Sequence, residues 1–160
     1  MALDTANPNP ALIAAVVRLT EQVPGLRVVM DHLPQMEPSE ESQTRTLVRL
    51  NLQELGKRSQ VYVKVSEVLR RVSGQVPHAT NFYRDRLDEL WELFGPDRLM
   101  FGSDWPNSDT WGTYPQVLKI VHEYFLSKGR AATEKFFWKN SITAYRWMKR
   151  EKSQPQLLPG

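Results

Sequence analysis

The sequence contains no cysteine among its 160 residues and only three histidines. The lack of cysteine excludes disulfide bonds, thiolate nucleophiles and cysteine-based zinc sites. No apolar run approaches the roughly 20 residues that a membrane-spanning helix needs, and the N-terminus lacks the basic and apolar segments of a secretory signal. We therefore expect a cytoplasmic protein that does not contact a membrane.

The chain also has little excess of either charge. Its 21 lysines and arginines against 18 aspartates and glutamates give a net charge of +3, and part of the excess lies at Arg146, Lys149, Arg150 and Lys152. Nucleic-acid binding needs basic residues gathered on one face, so we expect no nucleic-acid partner. The length fits one domain, which we place at residues 1–152, followed by a flexible tail at residues 153–160.

Helical and β-rich patterns alternate along the chain. Apolar spacing predicts helices over residues 10–23, 39–55, 83–94 and 114–125, with shorter helical segments over residues 131–148. Three short β-rich runs predict strands at residues 26–30, 61–66 and 99–103. In a compact domain this order means parallel strands joined by helical crossovers. The predicted fold class is therefore α/β.

Polar residues follow each predicted strand: Asp31 and His32, then Lys64, Ser66 and Glu67, then Ser103 and Asp104. In parallel α/β folds the ligand lies beyond the carboxyl ends of the strands. Because side chains alternate along a strand, His32 is expected on the face of Val28 and Met30. By the same rule Lys64 shares a face with Tyr62 and Ser66, and Asp104 shares one with Met100 and Gly102. We expect these polar groups to converge at one mouth.

Four segments resemble successive landmarks of amidohydrolase-related proteins, which include sugar-lactone and dicarboxylate lactonases and some decarboxylases. They are Val28-Val-Met-Asp-His32, Val61-Tyr-Val-Lys-Val-Ser66, Phe94-Gly-Pro-Asp-Arg-Leu-Met-Phe-Gly-Ser-Asp-Trp-Pro106 and Asn140-Ser-Ile-Thr-Ala-Tyr145. The resemblance implies a partial (β/α)8 TIM barrel containing its last three strands, with the first five absent. It further implies a hydrolase that acts on a lactone or other carboxylic ester or amide.

The same resemblance implies site residues. Asp104 matches the aspartate that activates the hydrolytic water, and His32 matches an active-site histidine that polarises the substrate carbonyl or assists a proton transfer. Lys64, at the predicted mouth, could hold an anionic substrate or stabilise an oxyanion, and Ser66 and Trp105 are expected to line the pocket. The substrate is expected to be a small molecule.

The chain also departs from the family pattern. It has no His-x-His pair, and Glu67 stands where the family often has glycine. The metal content stays open between a divalent ion such as zinc and none, with Asp104 and His32 as the contributors.

Structural roles remain open for three of these residues. Asp104 could cap the next segment, His32 could be a hydrogen-bonded core residue, and Lys64 could pack its stem on the sheet. A second function also remains open: an inactive barrel fragment or split-barrel subunit, whose sheet edges and exposed apolar strands would seek another copy or a partner chain.

Overall fold

The computed structural model describes residues 1–35 and 40–147. In chain order its elements are β1 Ala2–Thr5, α1 Pro10–Gln22, β2 Arg27–Asp31, α2 Ser42–Gly56, β3 Val61–Val65, α3 Thr80–Phe94, β4 Leu99–Phe101, α4 Tyr114–Ser127, α5 Arg130–Glu134 and α6 Asn140–Tyr145. A π-helical turn, Lys135–Lys139, separates the last two helices. The predicted helix start near Ser39, the predicted helical end at Met148 and the predicted tail at residues 153–160 lie outside the described residues.

Local signals explain where the predicted helices begin and end. At the start of α1, the side chain of Asn9 accepts a hydrogen bond from the backbone N–H of Leu12 at 3.0 Å, and proline follows at the first helical position. A capping box between Thr113 and Gln116 starts α4. At the end of α3, Gly95 takes φ +66°, which a residue with a side chain adopts only with strain.

The four strands form one parallel sheet in the order β1-β2-β3-β4. This confirms the α/β class, and it adds a strand that the sequence pattern missed. Residues Ala2–Thr5 pair with Arg27–Met30 of β2. A run of only four residues, two apolar followed by two polar, carries no strand period that can be recognised alone. Its strand state depends on the neighbour that it pairs with.

The main core lies between the sheet and the helices. Val28, Met30, Val63 and Val65 point to this side and are at most 1% exposed, against apolar side chains of the four long helices. No helix of the described residues is long and apolar enough to cross a membrane.

The opposite face of the sheet would line the interior of a closed barrel. Val29, Tyr62 and Met100 lie on it and are buried, because Ala144 at the end of α6 packs against them. The Nε of Arg27 donates to the carbonyl of Ala144 at 2.6 Å, which fixes the end of α6 here. The expectation that apolar strand residues would be exposed is therefore wrong for these three residues: the chain covers them itself.

Candidate active site

Three residues that follow the carboxyl ends of β2, β3 and β4 have left-handed backbone conformations. The φ angles are 58° at His32, 50° at Glu67 and 53° at Asp104. Such a conformation costs a non-glycine residue about 1–3 kcal/mol, and it is concentrated at functional sites. It also redirects the side chain. Alternation along the strand predicted that His32 shares a face with Met30, and this is wrong. Met30 lies in the core under the helices, whereas His32 turns toward Ser66 and Asp104.

The three redirected side chains form a cluster. One ligand atom from each of His32, Glu67 and Asp104 lies within 4.8 Å of the other two. The Nε2 of His32 is 3.9 Å from Oδ1 of Asp104, and both side chains are 13% exposed. The cluster thus combines one imidazole nitrogen with two carboxylates at the carboxyl edge of the sheet, where parallel α/β proteins bind their ligands.

Ser66 holds the imidazole of His32 in place. Its Oγ lies 2.8 Å from Nδ1 of His32, 3.3 Å from the backbone N–H of His32 and 3.4 Å from the carbonyl of Lys64. The hydroxyl can accept one hydrogen bond from Nδ1 of His32 and one from its backbone N–H, and it can donate one to the carbonyl of Lys64. These three bonds use all of its hydrogen-bonding capacity. In that arrangement Nδ1 carries the proton, so Nε2 presents a lone pair to the two carboxylates.

The carboxylates carry unsatisfied acceptor atoms. Oε2 of Glu67 and Oδ2 of Asp104 are buried, and neither has a hydrogen-bond partner among the described residues. Burial raises the pKa of Glu67 to about 7, and the facing carboxylate of Asp104 adds to the rise. Two carboxylates that face one another at such a buried position are stabilised by a proton or a cation between them.

This donor set fits a divalent cation. A catalytic zinc site takes three protein ligands from histidine, aspartate or glutamate and keeps one position open. His32, Glu67 and Asp104 supply that number and those types, and their orphaned oxygen atoms give a bound cation its contacts.

Lys64 lies deeper on the inner face and is already paired. Its Nζ is 2.9 Å from Oδ1 of Asp31 and 3.2 Å from Oδ2 of Asp4. Burial would lower the pKa of Lys64, but the contacts with Asp31 and Tyr145 outweigh it and hold the pKa above its usual value. Its positive charge is therefore matched by two aspartates. Gly102 leaves room for its stem, since a Cβ at that position would lie 2.7 Å from Cγ of Lys64.

Trp105, which was expected to line the pocket, and the two histidines other than His32 lie farther out. Trp105 is 49% exposed and packs edge-on against Tyr114, with 6.5 Å between ring centroids. His78 is exposed and hydrogen-bonded to Gln116, and His122 is exposed against Phe137. None of these three belongs to the cluster that His32, Glu67 and Asp104 form.

Glu67 is the member that sequence reasoning did not select for the site. It is among the strand-end polar residues expected to converge at the mouth, but beyond that it is noted only as a departure from the family's glycine and given no role. Its position directly after the polar end of β3 was the available signal, because a carboxylate there projects into the same mouth as His32 and Asp104.

A parallel α/β sheet with a polar cluster beyond its carboxyl edge is typical of α/β proteins that bind small molecules, open sheets and barrels alike. The sequence profile described as Amidohydrolase matches residues 3–147. The chain therefore belongs to the amidohydrolase family, as its sequence motifs indicated.

Individual relatives agree with this assignment. The chain is 40% identical over 52 residues to the L-fucono-1,5-lactonase of Burkholderia multivorans, a match that covers 32% of this chain and 18% of that protein. An amidohydrolase of the same organism, solved with bound zinc, superposes with TM-score 0.72 at 23% identity over 91% of this chain and 52% of its own. Amidohydrolase 2 of Bifidobacterium longum subsp. infantis superposes with TM-score 0.68 at 20% identity, over 91% of this chain and 50% of its own. The chain thus spans about half the length of these solved structures.

Proposed function

We propose that the chain carries one half of a hydrolase active site that opens a lactone or another carboxylic ester or amide. The observation that carries this proposal is the cluster of His32, Glu67 and Asp104, with its two buried oxygen atoms that have no partner among the described residues. The match to a lactonase supports a sugar lactone, with L-fucono-1,5-lactone as the first compound to test.

Asp104 is the proposed general base. The amide of Asn107 approaches Oδ1 of Asp104 at 3.4 Å, so that Oδ2 remains to accept a proton from the attacking water. A base at the reacting water contributes about 10²–10⁴-fold to the rate. His32, held through Nδ1 by Ser66, directs Nε2 toward the same space. Lys64, Ser66 and Trp105 stay proposed as residues that line or support the substrate pocket.

A divalent cation, with zinc as the first choice, is the proposed cofactor. His32, Glu67 and Asp104 would hold it, and it would polarise the substrate carbonyl and acidify a bound water. The amidohydrolase of Burkholderia multivorans solved with bound zinc supports this choice.

The test is hydrolysis of a lactone panel by the purified chain and by Asp104→Asn, with Asp109→Asn as the matched control. Asp109 is an exposed aspartate of the same loop. We expect Asp104→Asn to lower kcat/KM by at least about 100-fold and Asp109→Asn to leave it unchanged. Wild-type hydrolysis no faster than that of Asp104→Asn would refute the proposed base.

A second candidate function is a subunit that acts only with another chain. The chain covers about half of its solved relatives, and among the described residues β1 and β4 each pair with a strand on one side only. Such edges offer unpaired backbone groups to another chain. Association with a second copy, or with a chain that supplies further strands, is the proposal that this observation favours.

A further inference from the structure

The loop after β4 holds Asp104 through one buried serine, which contacts the backbone on both sides of that residue. Ser108 is 4% exposed and lies in a 3₁₀ turn, Asn107–Thr110. Its hydroxyl donates to the carbonyl of Ser103 at 3.1 Å, and its backbone N–H donates to the carbonyl of Asp104, also at 3.1 Å. Sequence reasoning gave Ser108 no role.

The two carbonyls that Ser108 contacts define the backbone conformation of Asp104. The carbonyl of Ser103 belongs to the planar peptide that precedes Cα of Asp104, so its direction is linked to the φ angle of Asp104. The carbonyl of Asp104 belongs to the peptide that follows, so its direction is linked to the ψ angle. Because both carbonyls are bonded to Ser108, one residue fixes the conformation in which Asp104 has φ 53°.

The direction of the Asp104 carboxylate depends on this conformation. Oδ1 of Asp104 lies 3.9 Å from Nε2 of His32, and Oδ2 is buried. The amide of Asn107 donates to Oδ1 at 3.4 Å, a long hydrogen bond that constrains the carboxylate only weakly. The backbone therefore does most to aim the side chain at the cluster.

His32 is held in a similar way. Its φ angle is 58°, and its backbone N–H donates at 3.3 Å to Oγ of Ser66, which is 1% exposed. Two buried serines, Ser66 and Ser108, thus bond to backbone groups at left-handed residues of the cluster. A costly backbone conformation persists only where its surroundings over-determine it, and these two hydroxyls are part of such surroundings.

We propose that Ser108 is a positioning residue, which imposes the left-handed backbone of Asp104 and thereby aims its carboxylate at His32 and Glu67. In the proposed reaction Asp104 contacts the attacking water, and Ser108 acts only through Asp104. The consequence for hydrolysis rests on the proposed function above, whereas the imposed backbone conformation does not.

The relative stability of two Asp104 variants tests the imposed conformation without any turnover. Asp104→Gly and Asp104→Ala both remove the carboxylate, but only glycine adopts a left-handed conformation freely. In urea titrations of the metal-free chain, we expect the unfolding equilibrium constant of Asp104→Ala to be about tenfold larger than that of Asp104→Gly. In a Ser108→Ala background this ratio should fall to about one or reverse, because a released backbone no longer favours glycine and glycine loses more entropy on folding.

Ser141→Ala is the matched control for Ser108→Ala. The hydroxyl of Ser141 also donates to a backbone carbonyl, that of Trp138 at 2.8 Å, but in α6. It should leave the ratio at about tenfold. Ser108→Cys keeps a similar volume and donates only weakly, so it should lower the ratio as well and provides the test if Ser108→Ala does not fold. A ratio near one in the chain with Ser108, or a tenfold ratio that persists in a folded Ser108 variant, would overturn the proposal.

Hydrolysis of a lactone is the second measurement. Ser108→Ala should lower kcat by about tenfold or more and leave KM unchanged, because the base is displaced. It should cause no further loss in an Asp104→Asn background, where the carboxylate is already absent. An equal loss in both backgrounds would indicate a general structural role and overturn the proposal. Loss of the glycine preference in a chain that hydrolyses no lactone would support the positioning role and count against the proposed function alone.

Discussion

At the scale of single residues, the site depends on backbone conformations that oppose local preference. His32, Glu67 and Asp104 all have positive φ, although none is glycine, and each follows a strand that its neighbours hold in place. The surrounding sheet must help to stabilise these conformations, because they cost a non-glycine residue free energy even where, as for histidine and aspartate, they are less rare. The three side chains meet as a result of this strain.

Ser66→Ala tests whether the orientation of His32 matters for cation binding. The change removes the hydroxyl that lies 2.8 Å from Nδ1 of His32, and loss of such an orienting partner typically weakens metal affinity about 10–100-fold. We expect a loss of that size for Zn²⁺, measured by calorimetry on the metal-free chain.

Ser127→Ala is the control for this measurement. Ser127 also makes one side-chain hydrogen bond to a backbone carbonyl, that of Tyr124 at 2.6 Å, but on α4. The Ser127→Ala variant should bind Zn²⁺ as tightly as the wild type. Unchanged Zn²⁺ affinity in a folded Ser66→Ala variant would contradict the positioning role of Ser66.

At the scale of elements, α3 and α4 are joined through one carboxylate. Oδ1 of Asp88 accepts hydrogen bonds from the hydroxyl of Tyr124 and from Nζ of Lys128, both at 2.7 Å. The contact with Lys128, followed by that with Tyr124, holds the pKa of Asp88 below its usual value. The carboxylate form is therefore the one that stabilises the pairing of these helices.

Asp88→Asn should lower the free energy of unfolding at pH 7 by about 0.5–1 kcal/mol, a modest figure because the pair is partly exposed. A lowered pKa stabilises the fold above the unfolded value of about 4, and this contribution is lost as the pH falls through the folded pKa. The difference from wild type should therefore shrink below about pH 4. Urea titrations at pH 7 and below about pH 4 measure the difference in the free energy of unfolding between Asp88→Asn and the wild type. The control is Asp85→Asn, at an exposed aspartate of the same helix. A difference that persists at low pH would contradict the assignment to the charged form.

At the scale of the whole molecule, another chain would bind at the edges of the sheet and not on its inner face. Val29, Tyr62 and Met100 on the inner face are covered by Ala144 of the same chain. The outer edges of β1 and β4 have no strand neighbour among the described residues. Association would therefore proceed through backbone pairing at the edges.

Light scattering after size exclusion tests this association. We expect a mass above that of one 18.5 kDa chain, increasing with concentration, because edge pairing between chains follows mass action. A single-chain mass at every concentration would contradict association with a second copy. Lactone hydrolysis by that single chain would in addition exclude the need for a partner.

Local signals in the sequence determined most of the fold. The cap at Asn9, the stop at Gly95 and the apolar periods of the four long helices act between residues close in the chain, so they can be recognised without the structure. The motif around Asp104 also predicted the edge of the sheet at which the cluster lies, because strand-end residues in a parallel sheet share one edge.

Only the tertiary structure decided which side chains meet at that edge. The alternation rule placed His32 beside Met30, but a positive φ turned it toward Ser66 and Asp104. Glu67 joined the cluster for the same reason, and β1 became a strand only through its pairing with β2. Such backbone conformations and long-range pairings are stabilised by packing between segments distant in the chain, and no pattern of neighbouring residues encodes them.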